Sequence, residues 1–197
     1  MNFIKILLLL FFSYSLNADP INLINFKKPD GLYNFYIEIP AGSKQKWEVN
    51  KTNGKLEIQK TKKGKRIIKF IGYPGNYGFI PQTLADDGDP IDVIDLEESS
   101  TRGSTIPMNI IGGLYFEDKK KIDIKMIAIN PKGNFKNILN LDDLLYQKPA
   151  IAEILKKWFL NYKKPGKMVF IKYINKVEAE GIIKKSHLSW KKNNKMY

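Results

Sequence analysis

The chain has 197 residues, 43% apolar and 27% charged, which suffices for one well-buried core and is ordinary for a globular domain. It contains no cysteine, which excludes disulfide staples, thiol nucleophiles and cysteine-based zinc sites. Its formal charge of +13 favours anionic partners, but the lysines are scattered along the whole chain, so a lysine-rich solvated surface is a better account than a nucleic-acid or membrane-binding face.

At the N-terminus, Lys5 precedes an apolar run from Ile6 to Leu16 and then small and polar residues ending at Ala18, the layout of a cleavable secretory signal peptide. The run is too short for the roughly 20 residues that span a bilayer. Residues 1–18 are therefore expected to be removed, leaving a periplasmic or secreted chain from Asp19 to Tyr197 with no membrane anchor and a charge of +12, from 32 basic and 20 acidic residues. Without a working leader, the chain stays in the cytoplasm.

From Leu32 to Pro40, apolar and polar residues alternate as in a half-buried strand. Asn53-Gly54 between two alternating runs predicts a hairpin, because both residues tolerate positive φ. Further strands are expected at Arg66–Ile71, Ile91–Leu96, Thr105–Ile111, Ile122–Ile129 and Met168–Ile174, separated by Gly, Pro and Asp. Pro149 opens a helix that buries Ile151, Ile154, Leu155, Trp158, Phe159 and Tyr162 and stops at Pro165-Gly166. A last helix starts at Asn175, with Glu178 completing a capping box. The pattern is α+β and mainly β: a barrel of about five short strands with flanking helices, similar in shape to the oligonucleotide-binding fold, in one domain spanning 19–197.

The segment from Tyr73 to Asp95 carries the chemistry. Asp87, Asp89 and Asp92 stand within six residues around Gly88 and Pro90. Carboxylates this close repel unless a multivalent cation or solvent offsets them, and all-oxygen donors point to Mg²⁺, Mn²⁺ or Ca²⁺. An Asx-rich surface turn is the plain alternative. An EF-hand does not fit the spacing. His187 is the only histidine, so histidine-based metal sites and a Ser-His-Asp triad have almost no support.

Asp87-Gly88-Asp89-Pro90-Ile91-Asp92, preceded by Tyr73-Pro74-Gly75-Asn76-Tyr77-Gly78, resembles the signature of family I inorganic pyrophosphatases. Glu38-Ile39-Pro40, Lys46-Trp47-Glu48, Asp118, Asp123, Lys125 and Tyr162-Lys163 match other family elements in the same order, so the resemblance covers roughly residues 31–174. It implies hydrolysis of pyrophosphate to two orthophosphates, a diphosphatase reaction dependent on several Mg²⁺ ions, with Mn²⁺ as a substitute. Asp87, Asp92 and Asp123 would hold the activating metal, and Asp92 would be shared between two ions. Glu38, Asp118 and Asp123 would serve ions arriving with substrate. Asp89 would orient the attacking water and take its proton. Lys46, Lys163, Tyr77 and Tyr162 would hold phosphate oxygens, Lys125 and Glu48 would brace the network, and Tyr73 would either join it or simply fill the core. The family's compact bacterial forms imply a homo-oligomer such as a hexamer.

Two positions depart from the family. Lys60 stands where an arginine contacts substrate, with Arg66 as a nearby replacement, and Lys119 stands where an acid follows Asp118. A hydrolase of short polyphosphate or another phosphoanhydride, and a weakened phosphate- or nucleic-acid-binding barrel, are the alternatives. The complete carboxylate set argues against the binding modules.

Overall fold

The computed structural model describes residues 19–163 and 166–194. The expected signal peptide therefore lies outside the described residues, as does the Pro165 of the expected helix stop. Ten strands and four helices follow in order: α1 (Pro20–Leu23), β1 (Tyr33–Ile39), β2 (Trp47–Val49), β3 (Leu56–Ile58), β4 (Lys60–Thr61), β5 (Gly64–Lys65), β6 (Tyr77–Ile80), β7 (Ile91–Asp95), β8 (Thr105–Asp118), β9 (Lys121–Ile129), α2 (Leu141–Gln147), α3 (Pro149–Asn161), β10 (Met168–Asn175) and α4 (Lys176–Asn194). Among the described residues no helix is long and apolar enough to cross a membrane.

The main sheet runs β1-β6-β7-β9-β8-β10, and β1 also pairs with β8, closing a ring of five strands to which β10 is added. Closure removes sheet edges without needing a large core. Alternate residues of the ring feed two apolar clusters. Leu155, Trp158 and Phe159 of α3 pack with Ile94, Ile127 and Phe116. Ala179 and Ile183 of α4 pack with Val93, Met126 and Ile110. A ring covered on both faces is apolar on both, which is why β6, with all four residues buried, shows no alternation and escapes the sequence reading.

Other differences have local causes. β8 continues through Gly112, where φ is 154 and the register to β9 shifts, so a strand expected to end at Ile111 reaches Asp118. A Cβ at Gly112 would come within 2.6 Å of the Ile174 carbonyl oxygen, so the glycine permits close strand approach and does not stop the strand. Arg66–Ile71 is not a strand. It makes one bridge, Ile67 to Gln45, while Ile67, Phe70 and Ile71 face solvent without a second pairing partner. The Asn53-Gly54 hairpin forms with Trp47 opposite Ile58 and Val49 opposite Leu56, and its loop is 51–54, two residues longer than the shortest turn allows. α2 begins at Asn140, whose side chain accepts from Asp143 N, a cap that the sequence reading missed. Ile154 of α3 is 53% exposed, unlike the rest of its expected face. α4 carries the expected capping box: Asn175 N donates to Glu178 Oε2 and Glu178 N to Asn175 Oδ1.

One buried side chain ties the loops beneath the ring together. Asn76 is fully buried. Its amide nitrogen donates to both Asp95 carboxylate oxygens and to the Glu98 carbonyl, and its oxygen accepts from Ala41 N and Ser100 N. Burial pushes Asp95 up to about 6 against these donors. Asn76→Ala removes the hub and leaves several of these groups unpaired, so it is expected to cost about 3 kcal/mol, read as a lower urea midpoint.

Candidate active site

Carboxylates and cations converge on one cavity from both ends of the ring: the end of β1 pairs with the start of β6 at one end, and the starts of β7 and β9 meet the end of β8 at the other. Glu38 comes from the end of β1, Tyr77 from the start of β6, Asp92 from the start of β7, Asp118 from the end of β8, and Asp123 and Lys125 from the start of β9. They line a cavity of about 1010 Å³ with Lys46, Glu48, Lys60, Asp87, Asp89, Tyr162 and Lys163. Of the residues read from the sequence, Tyr73 alone does not reach the cavity; it packs behind it, 5.1 Å from Tyr77 and 4.4 Å from Trp158 between ring centres.

The pairing register assembles the centre. Parallel pairing of β7 and β9 sets Asp92 opposite Lys125, and strand alternation puts Asp123 on the same side as Lys125. The buried Lys125 ammonium bridges the two carboxylates, at 2.5 Å from Asp123 and in an ion pair with Asp92. Burial works against its charge, and Asp92 and Asp123 outweigh burial, holding Lys125 protonated well above the ordinary lysine range. Asp87 is raised by burial, with Asp89, Asp92 and Asp123 adding repulsion. Its Oδ1 accepts from Asp89 N at 3.0 Å, closing the turn that bends the three aspartates toward the cavity.

Glu38 is buried and accepts from Val49 N at 2.7 Å; burial pushes it up to about 7, opposed chiefly by Lys46. Lys46 would be lowered by burial, but Tyr73, Glu38 and Asp92 carry it up to about 12, so it is charged at any physiological pH. Burial raises Tyr77 well above the ordinary phenol range, and it remains a hydroxyl donor. Lys163 pairs with Asp118 Oδ2 at 2.7 Å. Glu48 accepts from Gln59, which accepts in turn from Arg66, and Arg66 also lines the cavity. Lys60 is exposed at the cavity edge, its backbone paired with Lys65.

Two functional contacts escape the sequence reading. Lys51, from the β2–β3 loop, pairs with Asp89 and donates to the Gly88 carbonyl at 2.7 Å, and Gln59 relays Arg66 to Glu48. Both depend on how loops fold back, and no local signal marks them.

Among the described residues no three carboxylates form a ready-made cation cage, since Lys125 sits between Asp92 and Asp123. The donor set nevertheless fits a hard divalent cation. Asp118 Oδ1 is buried without a hydrogen-bond partner among the described residues, and eight carboxylates (Glu38, Glu48, Glu57, Asp87, Asp89, Asp92, Asp118 and Asp123) line one polar cavity.

The inorganic pyrophosphatase family model matches residues 35–191. An inorganic pyrophosphatase from Nanoarchaeum equitans is 40% identical over 161 residues, covering 80% of this chain and 96% of the relative. Another from Campylobacter jejuni is 39% identical, covering 69% and 78%. The crystal structure of inorganic pyrophosphatase from Thermus thermophilus superposes with a TM-score of 0.77 at 26% identity, covering 88% of this chain and 99% of that one.

Lys125→Met leaves Asp92 and Asp123 uncompensated at the ring wall. Without divalent cations it is expected to cost about 3 kcal/mol, seen as a fall in melting temperature. Mg²⁺ should restore more stability to the variant than to the wild type.

Proposed function

The chain belongs to the inorganic pyrophosphatase family, and on that premise we propose how its cavity hydrolyses pyrophosphate to two orthophosphates. The observation that carries the reading is the division of charge within one cavity: the Asp87-Gly88-Asp89 turn faces Lys46, Lys125 and Lys163 across space open to a small anion. Phosphoryl transfer to water requires a positioned nucleophile and neutralisation of substrate and leaving group, and this division provides for both.

Lys46 and Lys163 bind phosphate oxygens as point charges, and Tyr77 and Tyr162 donate hydroxyl hydrogen bonds that fix orientation without adding charge. Burial keeps Tyr77 in its donor form, and Lys46 remains cationic because its pKa lies near 12. Lys125 bridges Asp92 and Asp123 and offsets their mutual repulsion. Asp89 is the proton acceptor, the role that the family resemblance implies; its side chain is exposed, and Lys51 pairs with it from outside. Arg66, tied through Gln59 to Glu48, takes the place of the family arginine, while Lys60 remains a peripheral charge.

The ion we assign is Mg²⁺, held by Asp87, Asp92 and Asp123, with Glu38 and Asp118 serving ions that enter with substrate. When bound, it supplies water activation and charge neutralisation. Export through residues 1–18 and assembly into a homo-oligomer complete the proposal. The leader layout supports the first, and resemblance to compact bacterial forms supports the second.

Phosphate release from pyrophosphate with Mg²⁺ is expected to fall by about 10²–10⁴ in kcat for Asp89→Asn and to vanish on chelation. Unchanged turnover in Asp89→Asn removes the assigned base. Arg66→Ala is expected to raise KM about tenfold and Lys60→Ala about twofold at most; the reverse order returns the arginine's role to Lys60. Mass spectrometry of the exported protein is expected to place its N-terminus at Asp19, and retention of Met1 excludes cleavage.

A further inference from the structure

The catalytic cavity continues into a second one of about 710 Å³. Five residues, Arg66, Asp118, Lys119, Tyr162 and Lys163, line both. Beyond this shared wall, the second cavity gains the exposed Lys69 and Lys167. Its cationic side chains, Arg66, Lys69, Lys119, Lys163 and Lys167, face one carboxylate, Asp118, which Lys163 already pairs. Concave surfaces of one sign focus the field and concentrate counter-ions of small size and high charge.

The turn that presents Lys119 is costly. β8 and β9 are joined through Asp118 opposite Lys121, so Lys119 and Lys120 are the two central residues, with φ of 54 and 65. Both positions are left-handed, where glycine or asparagine is usual, and a lysine pair there is strained. The strained backbone places one lysine on the wall common to both cavities.

We propose that the second cavity is a subsite for a third phosphoryl group, so that the enzyme also accepts linear tripolyphosphate. This rests on the assignment of the first cavity as the pyrophosphate site. Two phosphoryl groups occupy the catalytic cavity, and the third lies among Lys69, Lys119 and Lys167. The water oxygen bonds to the terminal phosphorus beside Asp89, which takes a water proton. The adjoining P–O anhydride bond breaks, its electron pair stays on the bridging oxygen, and the proton passes to solvent. The products are orthophosphate and pyrophosphate, and the latter is itself a substrate.

The test measures phosphate release from tripolyphosphate and from pyrophosphate, with Mg²⁺, by the wild type and by the double variant Lys69→Glu/Lys167→Glu. Both side chains are exposed, and neither has a role in the pyrophosphate mechanism above. The expected result is a fall of about tenfold or more in kcat/KM for tripolyphosphate, with pyrophosphate kcat/KM changed less than about twofold. The neutral pair Lys69→Gln/Lys167→Gln should fall between wild type and the acidic pair, as a charge effect requires. A wild type active on pyrophosphate but inert toward tripolyphosphate overturns the subsite alone, as does a variant that loses both substrates equally. A wild type inert toward both overturns the pyrophosphate reading and the subsite together.

Discussion

Mutual repulsion of carboxylates is the constraint around which this molecule is organised. Glu38, Asp87, Asp89, Asp92, Asp118 and Asp123 face one cavity, and each must be offset by a cation to stand there. Within the chain, lysines do this work: Lys125 between Asp92 and Asp123, Lys163 on Asp118, Lys51 on Asp89 and Lys46 beside Glu38. The compensation is incomplete. One oxygen of Asp118 has no partner among the described residues, and Glu38 and Asp87 are held above the ordinary carboxylate range. A site left short of positive charge in this way is suited to divalent cations, and one that also exposes lysines is suited to the anion accompanying them.

The fold supplies rigidity where this arrangement needs it. Closing five strands into a ring fixes the spacing of β7 and β9, and hence of Asp92, Asp123 and Lys125, through main-chain pairing that does not depend on the charges themselves. Helices α3 and α4 pack on the two apolar clusters, so the cost of burying charge in the cavity is offset by the core. Asn76 adds a polar anchor where the Ala41, Asp95 and Ser100 segments meet, one residue from Tyr77. Asp89 and Lys51, which come from loops, are correspondingly exposed.

The aspartate turn, the capping box of α4, the Asn53-Gly54 hairpin and most of the ring strands are legible in the sequence because each depends on neighbours within a few positions. Asp, Gly and Pro in that order make a turn, and an asparagine followed three residues later by glutamate makes a helix start. The chain order of the separate motifs was also enough to indicate the family. β6 was hidden because burial on both faces erases alternation, and the extension of β8 was hidden because Gly112 resembles a breaker when seen only in sequence.

By itself, then, the sequence determined which residue types are available, where the chain turns, and that acidic and basic groups recur in a pattern suited to phosphate chemistry. The family resemblance singled out Lys46, Lys125 and Lys163 among many lysines, and tertiary structure alone decided what each of them touches. Lys125, Lys51 and Lys60 are chemically identical in the sequence, yet one is buried between two carboxylates, one reaches a distant turn, and one lies at the cavity edge. It also decided that Arg66 reaches Glu48 through Gln59 and that a second basic cavity adjoins the first. The physical reason is that charge acts through distance, and distances between residues far apart in sequence are set by strand register and ring closure, which no local pattern encodes.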